Sequence, residues 1–194
     1  MWTIAVLSLF LSPPARDEKA LRDAFQKEIR AKDAAKRVEA AKTLAGAKEE
    51  ETIALLAGHL KDAAKEVQLA VAETLEGAED SGGAAIKPLA AVLVDKKADP
   101  DVRLACAKAL AKAKYKADPT AAMIQAISTI SNEEKHLFKF GSDATKVLNK
   151  FAGEDFGEGK LTPGLWEKWW AENKEKLKKE DEAKLAEYKK SRKK

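Results

Sequence analysis

Apolar residues recur along most of this chain at intervals of three and four positions, which places their side chains on one face of an α-helix. The stretch TIALLAGHL at 52–60 is one example. We find no convincing segment with the alternation of apolar and polar residues that is typical of a half-buried β-strand. Ala, Lys, Glu and Leu, all good helix formers, dominate the composition. The pattern therefore predicts an all-α protein.

Three apolar segments align with one another without gaps, at residues 35–48, 66–79 and 101–114. Each carries an apolar residue, then an alanine, then a leucine, at intervals of three. The aligned positions are Val38, Leu69 and Leu104; Ala41, Ala72 and Ala107; and Leu44, Leu75 and Leu110. This spacing places the three side chains along one helix face, where the alanine allows a neighbouring helix to approach closely. The segments therefore predict three copies of one repeated helix.

Each repeated helix has an apolar partner helix beside it in the sequence, so the helices come in pairs. The predicted first helices cover 18–30, 52–60, 84–94 and 119–131, the last opened by Asp118 as N-cap and Pro119. A fourth, less regular second helix covers 142–153, with Ser142 or Asp143 as its N-cap. Helix pairs of this kind share a core with their neighbours. We therefore expect an α-solenoid of about four antiparallel helix pairs at 16–153.

The third copy reads DVRLACAKAL at 101–110, which resembles the second-helix motif of the HEAT-repeat family. The short form of this family is also called PBS-lyase-like repeats. The resemblance covers roughly 18–153 and implies a solenoid in which Asp101 caps its helix and Arg103 lies near the turn between repeats. The other copies depart from the motif, which weakens the contacts expected between repeats. They have Ala35 and Arg37, and Glu66 and Gln68, at these two positions.

Three of the four tryptophans fall within five positions after the last repeat. Pro163, with Thr162 as N-cap, predicts the start of a helix on which the three indoles share one face. A solenoid exposes an apolar surface at its end, and an aromatic helix face is suited to cover it. We expect a capping loop and helix at 154–173, with exposed tryptophans that bind sugars, bases or a protein as the alternative. The predicted structural cap comprises Phe156, Trp166, Trp169 and Trp170.

The same segment is similar to the C-terminal part of HEAT-repeat proteins from planctomycete-type bacteria. The similarity rests on a Gly-x-Asp-Phe-Gly loop followed by Trp-x-x-Trp-Trp. The matching residues are Gly153, Asp155, Phe156, Gly157, Trp166, Trp169 and Trp170. This resemblance implies that the folded domain ends here and that the protein is exported or belongs to the cell envelope. It implies no substrate.

The net charge of +4 arises in the last 21 residues, 174–194, which carry ten Lys/Arg and five Asp/Glu. The rest of the chain sums to −1. A nucleic-acid-binding protein normally carries a basic stripe on its folded face, so this distribution argues against nucleic acid as the main partner. We expect residues 174–194 to form a charged helical tail that continues the preceding helix. The tail is either solvated or makes a weak, salt-sensitive contact with an anionic surface.

The chain begins with an apolar run at 2–11, followed by Ser12-Pro13-Pro14. The run is too short to span a bilayer, but it fits the apolar region of a secretory signal peptide. We therefore expect a signal at 1–15, a mature chain without a transmembrane span, and export to the periplasm or cell envelope. No Lys or Arg precedes the run. The alternative is a cytoplasmic protein in which this segment packs on the fold.

No catalytic constellation is evident in the sequence. The single cysteine, Cys106, lies in an apolar helix and is expected to be buried. His59 and His136 have no second ligand at the spacing of a metal site. Most carboxylates alternate with lysines, as on a solvated helix face. We therefore predict a protein that is not an enzyme and that uses no cofactor or metal.

These expectations favour a protein-interaction or scaffold module with a protein partner of unknown identity. The second helices would form its concave, binding face. Candidate contact residues, chosen from helix phase, are Lys42, Gln68, Glu73, Arg103 and Lys108. The alternative is a nucleic-acid-binding protein similar to the HEAT-like DNA glycosylases, which hold a duplex in a basic concave face. A third possibility, an adaptor or chaperone for a cofactor-attaching lyase, depends on fold analogy alone.

Overall fold

The structure, a computed structural model, describes residues 17–80, 82–130, 134–157 and 161–193. Within these ranges the chain forms nine α-helices, one short 3-10 helix and no β-strand. The α-helices are α1 (Glu18–Glu28), α2 (Ala34–Thr43), α3 (Glu50–Ala57), α4 (Lys65–Glu76), α5 (Ile86–Val94), α6 (Pro100–Leu110), α7 (Ala117–Ser128), α8 (Phe138–Ala152) and α9 (Pro163–Ser191). The predicted all-α class is confirmed. The predicted signal at 1–15 lies outside the described residues.

The first eight helices pack as four pairs in two layers: α1 with α2, α3 with α4, α5 with α6, and α7 with α8. The second helices, α2, α4, α6 and α8, pack side by side in an unbroken sheet of helices, which we call the second-helix layer. The first-helix layer is divided, since α3 and α5 make little contact. Across the first three pairs the second helices pack more closely than the first helices, as on the inner side of a curved solenoid. Between the third and fourth pairs α5 and α7 also pack closely. The predicted α-solenoid of four helix pairs is confirmed.

The repeated apolar positions build the core shared by neighbouring pairs. Ala41, Ala72 and Ala107 are fully buried at helix contacts, and the leucines three residues further on are buried with them. The first repeated position is half-buried at the edge of the core in all three copies. A methyl side chain at the alanine position lets adjacent second helices pack closely, so one short motif determines both the core and the stacking.

Two predicted N-caps in the fourth pair are wrong. Helix α7 begins at Ala117, and Lys116 rather than Asp118 occupies its N-cap position. The reason is a carboxylate from α9, because Asp181 accepts hydrogen bonds from the backbone N–H groups of Lys116 and Ala117 at 2.7–2.9 Å. A side chain distant in the sequence thus accepts from the backbone N–H groups at the start of α7, where we expected a local N-cap residue to do so.

Helix α8 begins at Phe138, four residues before the predicted cap at Ser142. A 3-10 helix, Lys135–Leu137, leads directly into it, so no side chain is needed to start the helix. Asp143 instead lies inside the helix, where it pairs with two lysines of the same helix. The helix ends as predicted at Gly153, which adopts the left-handed conformation with φ of 76°.

The N-cap of α6 also differs from the implication of the family motif. Asp99 is the cap residue and accepts a hydrogen bond from the backbone N–H of Asp101 at 2.8 Å. Asp101 lies in the first turn and pairs with Lys65 of α4 at 2.7 Å. Pro100 between them occupies the first helical position, which moves the cap to the preceding residue. Asp101 therefore links two repeats instead of capping one helix.

Helix α9 joins the tryptophan-rich segment and the charged tail in one helix of 29 residues, about 44 Å long at 1.5 Å per residue. It begins at Pro163 as predicted and packs along α7. Its far end reaches the division between α3 and α5, where Arg192 pairs with Glu50 of α3. Tyr188 lies so close to Gly82 that a Cβ there would meet its ring at 3.1 Å. Helix α9 thus crosses the outer side of the solenoid and bridges this division.

None of the helices in the described ranges is both long and apolar enough to cross a membrane.

Candidate partner-binding surface

The five predicted contact residues fall at two repeated positions of the second-helix layer. Lys42, Glu73 and Lys108 occupy one position on α2, α4 and α6, and all three are exposed. Lys42 makes an ion pair with Glu39 of its own helix at 3.0 Å. Such exposed pairs are weak and exchange readily for contacts with a partner. These three residues form a row across neighbouring repeats on the inner side of the solenoid.

Arg103 is not on this surface, because its side chain is only 1% exposed. Its guanidinium carbon lies 4.2 Å from the centre of the Phe140 ring, and its Nε donates to the carbonyl of Leu93 at 2.8 Å. Burial lowers the pKa of Arg103 below its ordinary value. Arg103 therefore joins α5, α6 and α8 inside the protein and cannot contact a partner directly.

Gln68, at the equivalent position of α4, also points toward the protein rather than the solvent. Its amide donates to the carbonyl of Asp62 at 2.5 Å. In the first copy, Arg37 makes two hydrogen bonds with the carboxylate of Asp62, at 2.8 and 2.9 Å. This repeated position therefore holds the turns between helices, as the family resemblance implied for Arg103.

Charge is divided along the second-helix layer. On α4, the exposed side chains Glu66 and Glu73 and the half-buried Glu76 give an acidic region. The ends of α6 and α8 carry lysines instead. A surface divided in this way favours a partner with a matching arrangement of charge and fixes the orientation in which it binds.

A cleft of about 430 Å³ lies between the C-terminal ends of α6 and α8, and we call it the lysine cleft. Four lysines line it, and Glu76 is the one carboxylate among its lining residues. The lysines are Lys108, Lys112, Lys116 and Lys150. The remaining lining residues are Ala111, Ala113, Val147 and Phe151, which make an apolar floor.

Lys116 is held in place at one side of the cleft. Its Nζ donates to the carbonyl of Phe151 at 3.0 Å and lies 5.3 Å from the centre of that ring. Lys108, Lys112 and Lys150 are exposed, and within the described residues none of them makes an ion pair. The cleft therefore presents several cationic groups that make no ion pair within the described residues.

The sequence predicted only Lys108 of these four lysines. A signal for one more was present, because Lys112 lies four residues after Lys108 on α6 and so shares a helix face with it. Lys150 lies on a different helix, and Lys116 lies in the turn before α7. Only the packing of α8 against α6 brings these residues together.

The tryptophans lie at the C-terminal end of the solenoid. Trp166 is fully buried in the shared core, and its ring contacts Phe156 and Trp169 edge to face, with centroids 4.8 and 5.6 Å apart. Trp169 and Trp170 are half-buried against the core. Trp169 also donates from its indole N–H to the carboxylate of Glu154 at 3.0 Å. This arrangement covers apolar surface at the last pair, and the three tryptophans that the structure describes do not form a row of exposed indoles.

The described residues offer little for chemistry. Burial raises the pKa of the Cys106 thiol to about 12, so the thiol stays protonated and is a poor nucleophile. The described part of the chain holds no group of three or more His, Cys, Asp and Glu side chains placed to bind a metal ion. His59 is half-buried, with its ring edge to face against Phe25 and 5.3 Å between the two centroids.

Comparison with known proteins gives one match. Residues 20–111, which extend from α1 to the end of α6, match the family model described as HEAT repeats. No curated protein and no solved structure matches the chain significantly. The matched residues comprise the first three helix pairs, and the fourth pair lies outside the match. The match supports a HEAT-repeat family, in agreement with the α-solenoid that the structure shows.

Proposed function

We propose that this protein is a non-catalytic interaction or scaffold module that binds a protein partner through its second-helix layer. The observation that carries the proposal is the row of exposed charged residues Lys42, Glu73 and Lys108 on one unbroken face. The opposite face offers less continuous surface, because α9 crosses it and α3 and α5 are separated. A partner would therefore find its most extended contact area on the inner side.

The family match supports this proposal in general terms. HEAT repeats generally mediate protein interaction and scaffolding, and the family is typically non-catalytic. Stacked helix pairs of this kind create long concave surfaces that bind partners without any catalytic group. For this chain, the proposal also names the binding face, which is the second-helix layer, and the charged residues on it.

The test is affinity capture from the source cells, with the full chain as bait. The triple variant reverses the charge of three exposed residues of the second-helix layer: Lys42→Glu, Glu73→Lys and Lys108→Glu. A control variant, Lys19→Glu, Glu28→Lys and Lys87→Glu, makes the same change in charge at exposed positions of first helices. We expect a stoichiometric partner protein with the wild type and the control and its loss with the triple variant. Equal capture by both variants, or no stoichiometric partner at all, would refute the proposal.

We further propose that the protein acts outside the cytoplasm. Support comes from the signal-like apolar run at 2–11 and from the resemblance of the segment 153–170 to planctomycete-type HEAT-repeat proteins. The test is the intact mass of the chain from its native host, together with its cell fraction. We expect a chain that lacks about fifteen N-terminal residues in an extracytoplasmic fraction. A full-length chain in the cytoplasm would contradict export.

A further inference from the structure

We propose that the lysine cleft is the binding site for an acidic peptide segment of the protein partner. Carboxylates of the segment would contact Lys108, Lys112 and Lys150, and one apolar side chain would contact Val147 and Ala111. The proposal rests on the interaction function proposed above and names the chemistry of the partner. It assigns recognition to the last two second helices, one of which, α8, lies outside the stretch that matches the HEAT-repeat family.

The first argument is the gathering of like charge. Lysines from two helices and the turn before α7 converge on one cleft, although like charges repel. Glu76 is the one carboxylate among the residues that line the cleft. A concave site lined by one sign of charge focuses its electric field and attracts ligands of the opposite sign. Charge complementarity therefore favours an anionic occupant.

A structural role for the lysines explains part of this arrangement. Lys108 and Lys150 lie in the last turns of α6 and α8, where a cation interacts favourably with the helix dipole, and Lys116 caps a carbonyl of α8. Each helix end carries only about half of an elementary charge. Two such ends and one carboxylate do not neutralise four lysines, so the cleft keeps a net positive charge.

The second argument concerns the shape and floor of the cleft. A volume of about 430 Å³ accommodates a few side chains, not a nucleic-acid duplex. Val147, Ala111 and Ala113 are half-buried residues that line the cleft, so an apolar side chain from a ligand would find contact at the bottom. A peptide supplies apolar and carboxylate groups at successive positions of one chain, which matches lysines arranged around an apolar floor.

The third argument separates a peptide from a nucleic acid. The neighbouring α4 carries the exposed carboxylate of Glu73 outside the cleft, which repels a long phosphate backbone, whereas a short segment can stay within the cleft. The one aromatic ring in the cleft, Phe151, is only 8% exposed and offers no platform on which bases stack. No arginine, the usual residue for bidentate phosphate contacts, lines the cleft. These features favour a short acidic segment.

The test uses the full chain and a fluorescent peptide that contains six Glu/Asp residues around one Phe. The matched control peptide has Gln and Asn in their place. We expect fluorescence anisotropy to show binding of the acidic peptide alone at low salt, weakened roughly tenfold as the salt concentration rises several-fold. The double variant Lys108→Glu and Lys112→Glu should weaken binding by roughly tenfold or more. The single variant Lys150→Glu should weaken it to a smaller extent.

The control double variant is Lys19→Glu and Lys27→Glu, which changes the net charge equally at exposed positions of α1. It should bind as the wild type does, and circular dichroism should show equal helix content in all variants. Equal loss in the cleft and control variants would overturn the proposal, since binding would then depend on net charge alone. Tighter binding of a single-stranded 12-nucleotide DNA, lost in the same cleft variants, would also overturn it in favour of nucleic acid.

The captured partner separates this inference from the proposed function. If the purified partner binds the Lys108→Glu and Lys112→Glu variant as tightly as the wild type, the cleft proposal fails while the interaction function stands. If no partner is captured by the wild type, the interaction function fails, whatever the peptide does.

Discussion

At the scale of single residues, buried polar side chains hold consecutive helix pairs in register. Arg37 and Asp62 form the clearest case, because their side chains are only 14% and 11% exposed and share two hydrogen bonds. Arg37 also donates to the carbonyls of Ala31 and Lys32, so one guanidinium fixes two turns. Hydrogen bonds between charged groups are stronger than neutral ones, and partial burial limits their screening by solvent.

The Arg37–Asp62 pair makes stability depend on pH. The hydrogen bonds from Arg37 hold the pKa of Asp62 below its ordinary value of 3.8. A lowered pKa in the folded state adds stability above pH 3.8, and this contribution is lost as the pH falls through the folded pKa. We expect the difference in free energy of unfolding between wild type and Asp62→Asn to shrink below about pH 4. Urea denaturation at several pH values measures it, and a difference that stays constant down to pH 2 would contradict the assignment.

Trp166 is the largest side chain in the core, and its removal should be costly. We expect Trp166→Ala to lower the free energy of unfolding by about 3–5 kcal/mol, because it removes an indole and leaves a cavity. Leu165→Ala is the matched control, since Leu165 in the same helix turn is 50% exposed and should change stability by less than about 0.5 kcal/mol. Equal effects of the two substitutions in urea denaturation would show that the helix does not cap the core.

Single residues also show what the sequence could and could not predict. The spacing of Ala41, Ala72 and Ala107 was enough to assign them to the core, because helical periodicity decides which face is buried. The same periodicity placed Arg103 among the surface candidates, although it is buried. Helix phase assigns a direction, but a neighbouring helix decides whether that direction leads to solvent. Here α8 packs against α6 and encloses the Arg103 side chain.

At the scale of whole elements, α9 has the greatest consequence for the fold. The sequence of its charged C-terminal half indicates a solvated tail, yet half-buried residues recur along this half at helical spacing. They are Leu177, Asp181, Leu185 and Tyr188. Few apolar residues mark this face, so hydrophobic periodicity gives a weak signal. Its contacts are largely polar, and they depend on partners more than 60 positions away in the chain.

The contact of Asp181 with α7 predicts a specific stability effect. We expect Asp181→Ala to lower the free energy of unfolding by about 1–2 kcal/mol, because it removes the cap of α7 and leaves two backbone N–H groups without their acceptor. Glu180→Ala removes the same charge from an exposed neighbouring position and should cost less than about 0.5 kcal/mol. If both variants unfold at the same urea concentration, α9 does not cap α7 in solution.

At the scale of the whole molecule, the structure has two unlike faces. One is the second-helix layer, unbroken and divided in charge between α4 and the lysine cleft. The other is bridged by α9, which ties the last pair to the division between α3 and α5. An interaction surface requires a rigid support to preserve its shape. Helix α9 on the outer face therefore supports the shape of the candidate binding surface on the inner face.

The overall architecture could be predicted because the same apolar pattern occurs in three aligned copies, although it would be a weak signal in any single helix. Three aligned copies specify helix pairs, their order and their shared core, and a solenoid follows from contacts between neighbours in sequence. The lysine cleft could not be predicted in the same way, since it combines residues of two helices and a turn. Only the packing of the degenerate fourth pair against the third completes it.

The most direct test of the account is site-specific photo-cross-linking in the source cells. A photoreactive amino acid replaces one exposed residue at a time, either in a second helix (Lys42, Glu73, Lys108) or in a first helix (Lys19, Ala54, Gln125). We predict that the second-helix positions cross-link to one and the same protein and that the first-helix positions do not. Cross-links to that protein only from first-helix positions, or from neither face, would contradict the claim that the second-helix layer binds a protein partner.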